Sequence, residues 1–249
     1  MRRVPYPLPY RDVCHSFMKN TPLSLIIGAG EVGLSLANVL DPYYRLEIVD
    51  REPREVSEPV EIMHVCIGYG PDFVSEVNRY QQKYKPEYTV IHSTVPVGTS
   101  RQCDAVFSAI VGKHPNLTES LTAFTKFLAG ENASLVANYF RRSGMKVYLY
   151  DRQETLELAK ISQTTFYALM VEYVKDLKRQ CDEKNLSFSE VYTLPSLDYN
   201  RGYEELGNPE FKMPMLVPIQ TKQGGHCTIP NCYLWDTPFT KLIIELNEK

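Results

Sequence analysis

A short apolar strand that runs directly into a glycine-rich turn constrains this chain more than any other feature. Residues 23–27, LSLII, form an apolar run of the kind that is buried on both faces of a parallel sheet. The turn GAGEVG follows at residues 28–33, and the helical pattern of residues 31–40 ends before Pro42. Strand, turn and helix in this order predict the beginning of a doubly wound α/β domain.

Strands and helices continue to alternate as far as residue 150. Further strand patterns are found at residues 45–50, 63–69, 88–92, 107–112 and 145–150. Helical spacing of apolar residues marks residues 71–84 between two of these strands. We therefore predict an α/β fold in which residues 1–150 form a Rossmann-type doubly wound parallel sheet, preceded by a proline-rich, extended lead-in at residues 1–22.

The alternation ends near Asp151, where a long helix begins. Asp151 and Glu154 form a capping box, and apolar residues at helical spacing then extend to about Lys184. The average helix has about 11 or 12 residues. A helix as long as the one predicted from Asp151 to about Lys184 usually spans two domains or two subunits. We predict a smaller, mainly helical domain over residues 151–249 and a homodimer that forms through the long helix.

The rest of the second predicted domain combines short helices with loop. A second capping box, Ser187 and Glu190, predicts a shorter helix. Residues 195–234 are rich in proline and glycine and are predicted as ordered loop, and residues 236–249 as a closing helix.

Composition excludes several classes of protein. The 249 residues carry 27 Lys and Arg against 30 Asp and Glu, a net charge of -3, so a nucleic-acid partner is not expected. No signal-peptide pattern and no membrane-spanning run is present, and the six cysteines are scattered over the chain. These features predict a soluble, cytoplasmic protein with free thiols and no membrane partner.

The glycine turn is typical of a dinucleotide site. In the pattern G-x-G-x-x-G, Gly28 permits the tight turn, Gly30 lets the backbone approach a pyrophosphate, and Gly33 lets the helix pack on the strand. Asp50 lies 22 residues after Gly28, near the spacing of an acid that binds the adenosine ribose. An acid there repels a 2′-phosphate, which favours NAD, although Arg51 leaves NADP open. A tight turn without a ligand, with Asp50 as a solvated strand end, is the alternative.

Three further segments resemble the UDP-glucose and GDP-mannose 6-dehydrogenase family. STVPVGT at residues 93–99 is similar to the family's turn at the nicotinamide side of the cofactor, and ETLELAK at residues 154–160 to the helix that carries a catalytic lysine. GGHC at residues 224–227 is similar to the loop that carries the cysteine nucleophile. The resemblance covers residues 23–234, without the family's third, nucleotide-binding domain. It implies NAD-dependent oxidation of the primary alcohol of a sugar or sugar nucleotide.

The resemblance also assigns candidate site residues. A thiolate at Cys227 can hold an aldehyde between two hydride transfers, and Lys160 is the candidate cation beside it, with Thr164 one helical turn further on. Where the family has asparagine, aspartate and glutamate, this chain has Thr164, Asn231 and Asn116, so two carboxylates are replaced. The predicted catalytic residues are Cys227, Lys160, Thr164 and Asn231, the substrate residues Asn116 and Gly225, and the NAD residues Gly28, Gly30, Glu31, Val32, Gly33, Asp50, Arg51 and Thr94.

Other interpretations stay open at this point. Cys227 is alternatively a buried small apolar residue, and Lys160 a solvated helix lysine. His226, Cys227 and Cys232 are a partial zinc pattern, but no second ligand cluster accompanies them, and we predict no metal. The lost carboxylates favour a catalytically impaired protein that binds NAD or a sugar nucleotide. A single-step dehydrogenase of the hydroxyacid type would need Lys160 but not Cys227.

Overall fold

The computed structural model describes residues 23–51, 53–56, 59–112, 115–225 and 227–248. The predicted lead-in at residues 1–22 lies outside this part of the chain, as do His114 and His226 of two motifs. The chain divides into two compact units between Leu158 and Ala159.

The first unit contains a seven-stranded sheet that confirms the predicted Rossmann-type α/β fold. Its strands are β1 (Leu23–Ile27), β2 (Arg45–Val49), β3 (Val60–Val65), β4 (Tyr88–Ile91), β5 (Val106–Phe107), β6 (Thr125–Ala129) and β7 (Lys146–Tyr150). Their order is β2-β1-β3-β4-β5-β6-β7, and each neighbouring pair is parallel except β5 and β6. Apolar side chains cover both faces, and all five residues of β1 are buried, as its apolar run predicts.

The helices of the first unit follow the strands in the manner of doubly wound folds. They are α1 (Glu31–Leu40), α2 (Phe73–Tyr84), α3 (Thr99–Gln102), α4 (Leu117–Ala123) and α5 (Ala133–Arg142). Two separate apolar clusters form the core. One contains Leu25 with Phe73 and Val77 of α2, and the other contains Leu36 of α1 with Phe140 of α5. In folds of this kind, ligands bind beside the carboxyl ends of the strands, and the packing of the helices on the sheet fixes the positions of these ends.

The strand boundaries near the end of the sheet differ from the prediction. The strand predicted at residues 107–112 is reduced to the two residues of β5, and β6 was not predicted. The segment of β6, TKFLA, contains Lys126 at a position where a buried strand pattern has an apolar residue, and lysine is almost never fully buried. In the folded chain Lys126 is nevertheless 4% exposed.

The second unit is mainly helical. The helix α6 (Gln153–Glu183) crosses the division between the units. It is followed by a π-helical turn (Ser189–Thr193), α7 (Leu194–Glu205), a 3-10 turn (Pro209–Phe211), α8 (Ile229–Cys232) and α9 (Pro238–Glu248). A small buried cluster of Ala168, Cys232 and Ile243 joins α6, α8 and α9.

The helix α7 corrects the prediction that residues 195–234 are loop throughout. Pro195 occupies the first turn of α7, directly after the π-helical turn at Ser189–Thr193. A loop prediction based on the proline and glycine content of the whole segment does not distinguish this position. One half of the predicted capping box before α7 is present, because the Glu190 N–H donates to Ser187 Oγ at 3.4 Å.

Two findings apply to the described residues alone. Within that part of the chain, none of the helices combines the length and the apolar character needed to cross a membrane. Five cysteines in it, at positions 66, 103, 181, 227 and 232, carry free thiols.

Candidate active site

Two glycines of the turn are required by the packing of the protein itself. Gly28 has a φ of +103°, and a Cβ atom there would lie 2.7 Å from the carbonyl oxygen of Cys66. A Cβ atom at Gly33 would overlap the carbonyl oxygen of Gly28. The Gly28 N–H donates to the Val49 carbonyl at 2.7 Å, which holds the turn against β2. Both glycines are therefore explained without a ligand.

Gly30 differs from the other two glycines. It caps the N-terminus of α1 with an extended backbone, and a Cβ atom there would have no atom of the described chain within 4 Å. Glu31, which is exposed, and the half-buried Val32 begin the helix. A glycine that the internal packing does not demand fits the close approach of a phosphate to the backbone and to the positive end of the helix dipole.

Asp50 lies directly beside the turn. It follows β2, is exposed, and accepts a hydrogen bond from the Ala29 N–H at 3.3 Å through Oδ1. Arg51, the next residue, has a φ of +36°. The fold thus brings the predicted ribose-binding acid to the glycine turn, and the residues of this edge fit the adenosine half of a dinucleotide.

The turn at residues 93–99 follows β4 and is fixed on one side. Ser93 Oγ donates to the Ile67 carbonyl at 2.5 Å, and the side chain of Val95 is fully buried in the core. Thr94, the predicted cofactor residue, is half-buried, and Val97 is exposed.

Sequence reasoning missed a residue that anchors this turn. Glu157 of α6 is 0% exposed, and its carboxylate accepts hydrogen bonds from the Gly98 N–H at 2.5 Å and from the Ser100 N–H at 2.9 Å. The Ser100 hydroxyl donates to it as well, at 2.7 Å. An acid among the apolar residues of ETLELAK was the available signal, because a buried carboxylate needs donors.

Lys160 and Cys227 interact in the second unit. Lys160 is half-buried on α6, and Cys227 is exposed on the loop before α8. Burial lowers the pKa of Lys160 from its ordinary value, and electrostatic interaction with Cys227 offsets part of that shift. The two residues are 67 positions apart in sequence.

Thr164 and Asn231 form the second contact between the same two segments. The Asn231 Nδ2 group donates to Thr164 Oγ1 at 3.2 Å, and Thr164 Oγ1 donates to the Ile161 carbonyl at 2.9 Å. Asn231 is buried on α8. The predicted catalytic residues thus all lie where α6 meets the segment from Cys227 to α8.

The predicted substrate residues lie in different units. Gly225 is exposed in the loop before Cys227 and has a φ of +85°, so a side chain there would be strained. Asn116 is exposed at the N-cap of α4 in the first unit, where its carbonyl accepts a hydrogen bond from the Ser120 N–H at 3.0 Å.

No group of three or more His, Cys, Asp and Glu side chains suited to a metal ion occurs among the described residues.

Comparison with solved structures identifies the fold. UDP-D-ManNAc dehydrogenase from Pyrococcus horikoshii matches with a TM-score of 0.72 and 14% identity, over 91% of this chain and 68% of that one. UDP-glucose dehydrogenase from Pyrobaculum islandicum matches with a TM-score of 0.67 and 14% identity, over 92% and 68%. This chain has the fold of nucleotide-sugar dehydrogenases. The predicted resemblance is confirmed at the level of the fold.

The same fold occurs in a second class of dehydrogenase. The 3-hydroxyisobutyrate dehydrogenase of Mycobacterium tuberculosis, solved with L-serine, matches with a TM-score of 0.65 and 12% identity, over 92% of this chain and 93% of that one. No protein-family model and no curated protein sequence matches the chain. Structural likeness at 12–14% identity carries the fold and leaves the reaction to the residues of the site.

Proposed function

We propose that this protein is an NAD-dependent dehydrogenase that oxidises the primary alcohol of a sugar or sugar nucleotide in the cytoplasm. The observation that carries the proposal is the contact between α6 and the segment from Cys227 to α8, where Asn231 donates to Thr164 at 3.2 Å and Cys227 raises the pKa of the half-buried Lys160. A single hydride transfer needs no thiol, whereas oxidation of an alcohol to an acid needs a group that holds the aldehyde. Gly30 and Asp50 support the assignment of NAD.

The chemistry of the two oxidations assigns a role to each residue. Each of the two oxidations would need its own molecule of bound NAD, which would supply the hydride acceptor. Lys160 takes the alcohol proton in the first, which yields an aldehyde. The Cys227 thiolate then adds to the aldehyde carbon, and the Lys160 ammonium stabilises the resulting oxyanion. Loss of the second hydride leaves a thioester on Cys227, and water cleaves it to the acid and the free thiol.

Cleavage of the thioester is the slow step of the proposed reaction. Thr164 and Asn231 can orient a water molecule but accept no proton, and loss of a general base costs about 10²- to 10⁴-fold in rate. We therefore expect a rapid release of NADH, two per active site, followed by slow turnover. Stopped-flow absorbance at 340 nm with a panel of sugar nucleotides measures both phases.

The decisive variant is Cys227→Ser, with Cys181→Ala as the matched control. Cys181 is a buried thiol on α6, so its loss tests for general damage to the helix. We expect Cys227→Ser to release the aldehyde after one NADH and to lose the second, whereas Cys181→Ala keeps both. Equal NADH yields from Cys227→Ser and wild type would contradict the proposed nucleophile.

A single-step hydroxyacid dehydrogenase is the second candidate. It is favoured by the match over 93% of the Mycobacterium tuberculosis enzyme, and it requires Lys160 but not Cys227. Oxidation of 3-hydroxyacids by wild type and Cys227→Ser at the same rate would support it. Tight NAD binding without turnover on either panel would instead support the impaired binding protein.

We further propose a homodimer that forms through the second unit, with residues 1–150 as the NAD-binding domain and residues 151–249 as the helical domain. Support comes from large apolar side chains of α6 and α7 that stay exposed in the single chain, among them Phe166, Tyr173, Leu194 and Leu197. Sedimentation equilibrium tests this: wild type should be dimeric and Phe166→Ser with Tyr173→Ser monomeric. A monomeric wild type would refute the dimer.

A further inference from the structure

Three contacts join the turn at residues 93–99 to the rest of the protein. The Ser93 hydroxyl bonds to the Ile67 carbonyl, Val95 is buried, and Glu157 binds the turn at Gly98 and Ser100. Each of these contacts lies on the protein side of the turn. The half-buried Thr94 and the exposed Val97 take no part in these three contacts.

Both oxygens of the Glu157 carboxylate accept hydrogen bonds from neighbouring donors. Its Oε2 accepts from the Gly98 N–H, and its Oε1 accepts from the N–H and hydroxyl of Ser100. Arg101, the adjacent cation, pairs with Glu154 at 2.7 Å instead. The Ser100 hydroxyl also accepts from Gln153 Nε2 at 3.1 Å, which fixes its direction. The N–H groups of Gly98 and Ser100 and the Ser100 hydroxyl are neutral donors. Their bonds therefore fix the geometry of the turn and do not neutralise the charge of the carboxylate.

This arrangement consumes the backbone donors at the start of α3. Gly98 adopts a φ of +91°, and its N–H points to Glu157, as does that of Ser100. These N–H groups are therefore not available to a phosphate or carboxamide. A ligand at this turn would therefore contact the segment from Thr94 to Val97. The position of that segment depends on the bonds from Gly98 and Ser100 to Glu157.

We propose that Glu157 is a positioning residue for the nicotinamide end of a bound dinucleotide. The inference rests on the proposed function, and it assigns to a helix residue the control of a loop that contacts the cofactor. Glu157 itself touches no reacting atom. Its removal should loosen the nicotinamide end and leave the adenosine end, which binds at the glycine turn, unaffected.

Glu157→Gln tests the proposal with almost no change of shape. Glutamine has one acceptor oxygen and an NH₂ group, so at least one buried donor of Gly98 or Ser100 loses its partner. We expect the Kd for NADH to rise roughly tenfold, the size of effect that one buried hydrogen bond to a charged group produces. The Kd for ADP-ribose, which lacks nicotinamide, should change by less than about twofold. Calorimetry measures both, and NADH fluorescence reports the surroundings of the ring.

Two further variants separate positioning from folding. Ser100→Ala removes one of the three donors and should give a smaller rise in the Kd for NADH. Glu154→Gln, on the same helix and in an ion pair with Arg101, is the matched control and should leave both ligands unchanged. If Glu157→Gln is unfolded by circular dichroism, Ser100→Ala decides the question alone.

Each outcome bears on the proposal. An equal loss of NADH and ADP-ribose affinity in Glu157→Gln or Ser100→Ala, or no loss of either, would overturn the positioning role while the proposed function stands. Failure of wild type to bind either ligand would overturn both.

Discussion

Replacement of Lys126 by methionine should stabilise this protein. Lys126 lies on β6 and is 4% exposed, and burial lowers its pKa from 10.5 to about 7. Its ammonium group lies 3.3 Å from both His92 Nδ1 and the Ser108 carbonyl, and 4.8 Å from the centre of the Phe140 ring. These contacts do not compensate for the loss of hydration, since the lowered pKa shows that the charged form is disfavoured.

The magnitude follows from the two pKa values. The unfolded chain keeps its proton up to pH 10.5, and the folded chain loses it near pH 7. At 1.36 kcal/mol per pH unit, the difference amounts to about 4 kcal/mol against folding at pH 7. Stability therefore rises with pH between these two values, and the penalty is complete below pH 7. Methionine fills a similar volume, and His92 Nδ1 still bonds to Ser108 at 2.9 Å, so no donor is orphaned.

Urea unfolding followed by circular dichroism at pH 7 and pH 9.5 measures the effect. Lys126→Met should raise the free energy of unfolding by about 2–4 kcal/mol at pH 7, after allowance for the lost contacts, and by clearly less at pH 9.5. Lys146→Met, at an exposed position on the neighbouring strand β7, is the control and should shift stability by less than about 0.5 kcal/mol. A destabilised Lys126→Met, or a difference that does not depend on pH, would refute the reasoning.

Three other substitutions and a change of pH test the fold and the cofactor site. Gly33→Ala should prevent folding, because its Cβ would overlap the Gly28 carbonyl, whereas Gly30→Ala should fold normally and bind NADH at least tenfold more weakly by calorimetry. Asp50→Ser should lower the preference for NADH over NADPH by roughly tenfold in the same assay, and an unchanged ratio would count against the ribose assignment. Burial lowers the pKa of His64 to about 3 and that of His92 well below 6.5, so the protein should lose stability as the pH falls below 6.5. The slope should approach 1.36 kcal/mol per pH unit for each histidine, and a flat profile down to pH 5 would contradict it.

The fold could be predicted where one physical requirement dominates the sequence. A strand buried on both faces must be apolar, and Gly28 and Gly33 are dictated by close backbone packing, so β1, the turn and α1 are evident in the sequence. The strand β6 was not evident, because Lys126 is held by His92 and Ser108 from two other strand ends. Contacts of that kind exist only after the sheet has formed.

The candidate site shows the same limit. Helical spacing alone places Thr164 one turn after Lys160, but the bond from Asn231 to Thr164 depends on the path of a loop that no periodicity describes. Glu157 was missed because two of its three donors are backbone groups, which leave no trace in side-chain patterns. The assignments of catalytic, cofactor and substrate residues remain predictions that the proposed experiments test.

Neither Thr164 nor Asn231 can accept a proton, and this places two demands on Lys160. In the proposed reaction the neutral amine must accept the alcohol proton, and the ammonium form must then stabilise the oxyanion on the thiohemiacetal. Burial, which lowers the lysine pKa, favours the first role, and the interaction with Cys227, which raises it, favours the second. A proton taken from the alcohol leaves Lys160 charged at the moment when the thiolate adds, so the first step prepares the second. Hydrolysis of the thioester has no comparable help, since Thr164 and Asn231 cannot accept a proton from the attacking water. We expect this step to differ most from the corresponding step in the family that the sequence resembles.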